Sequence, residues 1–228
     1  MKENTRNLFP SSEQRWIFYA LIFIAGFFGV YTFSVRGGVF CNAQTANVAL
    51  FAMSLGTGDW HRALYLLIPM SAYFLGAVVS ELLNKKLSHN KHLKWSTALI
   101  GFEMLVIIVL GLLPRSAPDQ ICQVALNFIC SMQFNTFRHN EGTPMATIFV
   151  TNHIRETGSN LVKALSDKDP GAIKLCKLHA AMIGFFLMGG LASAVACVYL
   201  NVRALLCTVP VFLYVLIRLL TKTASQTN

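Results

Sequence analysis

Two short polar runs carry the residues in this chain with the means to do chemistry. The first is Cys41-Asn42-Ala43-Gln44-Thr45-Ala46-Asn47 and the second is Thr151-Asn152-His153-Ile154-Arg155, each set inside strongly apolar sequence. Polar side chains at membrane depth are costly, and where they occur they face a bundle interior, a water-filled cavity or a solute path. Amide and hydroxyl dipoles from Asn42, Gln44, Thr45 and Asn47, with Thr151, Asn152 and His153, could therefore line a binding site for a polar solute. Interhelical hydrogen bonding that locks the fold is the alternative use of the same groups. His153 can titrate near neutral pH. Arg155 can bind an anionic group, pair with Glu156 or Glu103, or snorkel to the membrane surface.

Two further features belong with these runs. Glu103 is the only carboxylate in the middle of an apolar stretch, a candidate for proton or ion coupling or for a salt bridge to Arg155 or Arg36. Gln123, Asn127 and Ser131 are four apart and so share one helix face, with Gln133 off it; that face could line the same cavity or pack against a neighbour. The six cysteines are scattered, without a Cys-x-x-Cys pair or a histidine at ligand spacing, so no metal site and no cofactor are expected. Gly-x-Ser-x-Gly, His-Glu-x-x-His and a convergent aspartate pair are all missing, which argues against an enzyme.

The elements that must position these residues are membrane helices. Of the 228 residues 54% are hydrophobic and 13% charged, and the mean hydropathy is +0.53. Soluble domains carry about a quarter charged residues, so an integral, all-α polytopic membrane protein is indicated. Spans are expected at 16–35, 63–83, 95–113, 120–137, 172–200 and 204–220, with the polar-apolar segments 39–55 and 143–165 between them. The order of span, break, polar-apolar segment, acidic-glycine turn, span, span occurs twice, and Thr45-Ala46-Asn47 falls opposite Thr151-Asn152-His153. The division is a tail at 1–15, a first repeat at 16–114, a second at 115–221 and a tail at 222–228.

The net charge of +9 serves topology rather than nucleic-acid binding. If 39–55 and 143–165 crossed the membrane, Lys85, Lys86, Lys91 and Lys94 would face outside, against the positive-inside bias. If each instead enters and leaves on one side, only Arg36, Arg62, Arg115 and Arg203 of the 19 basic residues lie outside. Both termini are then cytoplasmic. Three true spans per half make the halves inverted repeats, and non-helical backbone at that depth requires a cavity.

Phe40 through Asn47, Ser131-Met132-Gln133 with Phe137-Arg138, and Ala146-Thr147 before Thr151-Asn152-His153-Ile154-Arg155 resemble motifs of the YoaK family, small bacterial membrane proteins containing a domain of unknown function. Ala46 and Asn152 stand where the family has glycines, His153 where it has asparagine, and Gly29 where many members have aspartate. The resemblance implies about six spans in a bacterial inner membrane and a transport role without a settled substrate. The expected function is a secondary transporter or permease for a small polar or anionic solute, with a channel or a non-transporting scaffold as alternatives. The expected partners are the lipid bilayer and that solute, and a homodimer is open to the chain.

Overall fold

The structure is a computed structural model that describes residues 11–87 and 94–227. After a 3-10 turn at Ser11–Glu13, the chain forms α1 (Arg15–Val35), α2 (Gln44–Gly56), α3 (Trp60–Leu87), α4 (Trp95–Leu112) and α5 (Asp119–Thr136). A two-residue hairpin pairs β1 (His139–Asn140) with β2 (Thr143–Pro144). Then come α6 (Thr151–Ser166), α7 (Pro170–Leu200), a 3-10 segment at Asn201–Thr208 and α8 (Val209–Thr227).

Four stretches are long and apolar enough to cross a membrane: Arg15–Val35, Trp60–Leu87, Trp95–Leu112 and Pro170–Thr221, the last running from α7 into α8. At 21 residues α1 is about 31 Å long, matching a hydrocarbon core of about 30 Å. The expected span at 120–137 forms as α5, but its amides keep it off that list. Gln123, Asn127, Ser131 and Gln133 are all buried, so its polar face is turned into the protein. At the expected span 204–220, the apolar run begins as a 3-10 segment and turns α-helical at Val209.

The interrupted segments are irregular first and helical second. Residues 36–43 lead into α2, whose 13 residues rise only about 20 Å. Residues 145–150 lead into the 16 residues of α6, about 24 Å. Each sits on the helix that follows it, α2 on α3 and α6 on α7. Arg62 at the start of α3 donates to Gly37 O beyond the end of α1 at 3.3 Å. The chain therefore begins and ends its excursion through α2 at one end of the bundle.

The long helices pair in parallel. Tyr19 stacks on Phe185 and Tyr31 donates to Val202 O at 2.8 Å, so α1 and α7 run the same way. Gln120 donates to Tyr65 O, Ser80 to Met132 O, and Arg138 pairs with Glu81 beyond the far end, so α3 and α5 also run together. Both pairs close on glycine. A Cβ on Gly189 would stand 1.9 Å from Phe23 O, one on Gly26 2.1 Å from Phe186 O, and one on Gly76 2.3 Å from Phe128 O. Such contacts bring backbones together where burial of apolar surface gives no drive. Pro69 inside α3 cannot donate to Tyr65 O, and the Gln120 side chain takes that carbonyl instead.

Outward faces of α3, α4 and α7 carry Leu64, Phe74, Leu105 and Leu191, all more than half exposed, as helices facing lipid do. The expected basic loop 84–94 and the N-terminal tail are described only in part. Residues 88–93, with Lys91, and residues 1–10 lie outside the described residues. Lys85, Lys86 and Arg138 gather at the end of the bundle that holds Arg15.

Candidate functional site

The two polar runs meet. A cavity of about 490 Å³ is lined by Asn42, Gln44 and Thr45 from the first and by Thr151, Asn152 and Arg155 from the second. Tyr73 of α3 and Phe149 supply aromatic walls. A second cavity of about 560 Å³ shares Phe149 and Asn152 with it and extends to Asn135 and Arg138 at the Arg15 end. Phe149, which lines both, packs on Phe134 of the second cavity with ring centroids 5.0 Å apart. A third, of about 320 Å³, lies at the opposite end beside Gly37, Arg115 and Asp119.

Asn42 joins the halves directly. Its Nδ2 donates to Ala25 O on α1 at 2.8 Å and to Ile148 O at 3.0 Å, a contact across 106 residues. Gly29 makes room for it, since a Cβ there would lie 2.9 Å from Asn42 Oδ1. Gln44 donates to Asn127 Oδ1 on α5 at 2.7 Å. Asn127 donates in turn to Gln123 O, and Gln123 to Arg36 O at 2.6 Å, a ladder of amides from the cavity to the Arg36 end.

Three expected lining residues are used otherwise. Asn47 is buried and closes its own loop: its Nδ2 donates to Phe40 O at 2.6 Å and its Oδ1 accepts from Phe40 N at 3.1 Å. His153 does the same in the second run, with Nε2 2.9 Å from Ala146 O. In both, the partner carbonyl lies seven residues back. Each side chain satisfies backbone that irregular structure leaves unpaired. Gln133 is buried on α5 and lines neither of the two adjoining cavities. In each case the side chain's azimuth on its helix turns it from the cavity.

The expected ion pairs of Glu103 do not form. Arg36 is fully buried and pairs with Asp119 at 3.4 Å while its Nε donates to Tyr31 Oη at 3.2 Å. Arg155 pairs with its neighbour Glu156 and donates to Asn152 Oδ1 at 2.9 Å. Glu103 is 1% exposed, and both carboxyl oxygens lack a hydrogen-bond partner. It sits apart from the cavities, on α4.

Sequence reasoning missed two contributors. His179 of α7 is buried with Nδ1 2.8 Å from His153 Nδ1. Its signal, a histidine in an apolar run, was present but had no visible partner. Phe149 resembled any lipid-facing aromatic. Of the cysteines, Cys41 and Cys130 bring their sulfurs to 3.8 Å as free thiols. Among the described residues, no group of three or more His, Cys, Asp or Glu could hold a metal.

A family model described as "Protein of unknown function (DUF1275)" matches residues 17–219. The chain belongs to this family. The match covers every element from α1 into α8, including both polar runs. The YoaK label itself rests on the motifs quoted above. No curated protein and no solved structure matches the chain. A membrane protein of this family thus has to be read from its own geometry.

Proposed function

We propose that this chain is a secondary transporter for a small anionic or polar solute, working by alternating access around α2 and α6. The observation that carries the reading is the cavity shared by Asn42, Gln44 and Thr45 with Thr151, Asn152 and Arg155. Neutral dipoles on one side and a guanidinium on the other suit a solute with one anionic group, and α2 and α6 each start at the cavity, offering their positive ends.

Six spans in two inverted three-span halves give this site its logic. Antiparallel α1 and α5 support it: Gln123 near the start of α5 donates to Arg36 O beyond the end of α1, and Arg15 at the start of α1 pairs with Glu141 beyond the end of α5, so the corresponding helices of the two halves run oppositely. The same 106-residue offset that separates Asn42 from Ile148 relates Phe40 to Ala146 and Asn47 to His153. The two loop closures are thus equivalents, and Asn42 meets its own counterpart. Gly76 against Phe128 O and Gly189 against Phe23 O repeat the same crossing. Short α2 and α6 are then re-entrant half-helices, with both chain termini on the cytoplasmic, basic side of a bacterial inner membrane.

Separate cavities favour alternating access over a channel. The amide ladder from Gln44 to Arg36 fills the outer side of the site, while Phe149, packed on Phe134, stands where it adjoins the inner cavity. Glu103, buried without a partner, is the carboxyl we assign to proton coupling within the spans. Counterflow into proteoliposomes with labelled carboxylates, phosphate, amino acids and neutral polyols tests the proposal. At least one anion should accumulate transiently, and Arg155→Gln should abolish the overshoot. Failure of every solute to accumulate in the proteoliposomes beyond its level in protein-free vesicles would refute it.

A further inference from the structure

The buried His153–His179 pair has tautomers fixed by its surroundings. Ala146 O can only accept, so His153 Nε2 carries the hydrogen of that 2.9 Å bond. In a neutral ring the other nitrogen is bare, so His153 Nδ1 accepts across the 2.8 Å contact and His179 Nδ1 donates. The nitrogen left to take a proton is His179 Nε2. A proton there leaves both hydrogen bonds intact.

The pair's charged surroundings reach the cavity. Glu156 and Arg155 of α6 both act on His179, and Glu156 also acts on His153. The loop 145–150 carries no charge. From α7 the neighbouring titratable groups are Cys176, whose sulfur donates to Thr157 O on α6 at 3.6 Å, and the exposed Lys174 and Lys177, while α1 brings Tyr19 onto Phe185. Glu156 is thus the one carboxylate among these groups. It holds Arg155, which lines the cavity, in an ion pair whose arginine side is 68% exposed. Exposed pairs of this kind are weak.

We infer that His153 and His179 form a proton site coupled to the solute site, in which a proton on His179 competes with Arg155 for Glu156 and frees the guanidinium to bind an anion. The proton and the anion then bind cooperatively, the arrangement a proton–anion symporter requires. This rests on the transport reading for its purpose, but the switch itself can be tested with no solute present.

The test is arginine modification by phenylglyoxal in the full-length protein in nanodiscs, read by mass spectrometry. The rate at Arg155 is divided by that at exposed Arg203 to cancel the reagent's own pH dependence. From about pH 8 to about pH 5, a window carried below that of an ordinary histidine because the pair is buried, the ratio should rise at least about threefold. It should be flat in His179→Gln and high at both pH values in Glu156→Gln. His153→Asn is a folding-safe companion, because asparagine makes the equivalent backbone bond at position 47; the rise should persist there, since His179 Nε2 can still take the proton. In wild-type protein a 15N–15N coupling should be seen across the Nδ1–H···Nδ1 bond. A pH-independent wild-type ratio, a pH-dependent ratio in His179→Gln, or absence of that coupling would overturn the inference. A ratio that shifts while no anion is transported would overturn the transport reading and leave the proton switch standing.

Discussion

Replacing Asn47 by alanine should destabilise the protein by opening the loop it closes at Phe40. Asn47 makes two bonds to one residue, donating to Phe40 O at 2.6 Å and accepting from Phe40 N at 3.1 Å. Alanine removes both, and Phe40 sits in irregular backbone where no ladder replaces them. Hydrogen bonds inside membrane proteins average about 0.6 kcal/mol and reach about 1.7. A buried group left without a partner costs about 1–3 kcal/mol. Two such losses give about 1–4 kcal/mol. Asn47→Asp is the informative control: it keeps the acceptor for Phe40 N–H but sets a second oxygen against Phe40 O, so it should be no more stable than the alanine variant. Reversible unfolding in mixed detergent micelles, with the slope of the transition held equal, reads the difference. A loss under about 0.5 kcal/mol in Asn47→Ala, the range of neutral surface changes, would refute the loop-closure role.

Other expectations follow from packing. Gly76→Leu and Gly189→Leu should each fail to give a folded monomer peak in detergent or lose more than about 3 kcal/mol, because backbone carbonyls occupy the space 2.3 Å and 1.9 Å from the new Cβ. Gly101→Leu, with nothing within 4 Å, is the tolerated control. Glu103→Leu should leave stability unchanged or raise it by about 1 kcal/mol or more in the same unfolding assay, since neither carboxyl oxygen has a partner to lose. If Glu103 carries a coupling proton, that stabilised protein should no longer show proton-driven accumulation of the solute.

Much of this organisation was written in the chain's polarity. Two amide-rich runs interrupting apolar sequence, matched in order and spacing, led directly to the meeting of Asn42, Gln44 and Thr45 with Thr151, Asn152 and Arg155. Gly26 and Gly29 of α1 admit close neighbours, the Phe186 backbone and the Asn42 side chain. Less was legible where one helix needed its neighbour's rotation. Asn47 and His153 differ in side chain yet do the same job, because both face back onto their own loops. Glu103 looked like half of an ion pair, but Arg36 and Arg155 each found a nearer carboxylate, Asp119 and Glu156.

What the sequence determined alone is the solvent and the raw material. Hydropathy sets a membrane protein, and the two polar interruptions set helices of only 13 and 16 residues among the longer ones. These are properties of residue type and spacing along one chain, and need no partner to be read. Tertiary structure decided which polar groups face the cavity and which close loops, because successive helix positions differ by about 100° and only packing against α3 and α7 fixes that rotation. It also decided that His179, on a different helix 26 residues further along, meets His153. A contact between two helices depends on their relative register, and no periodicity within either helix contains it.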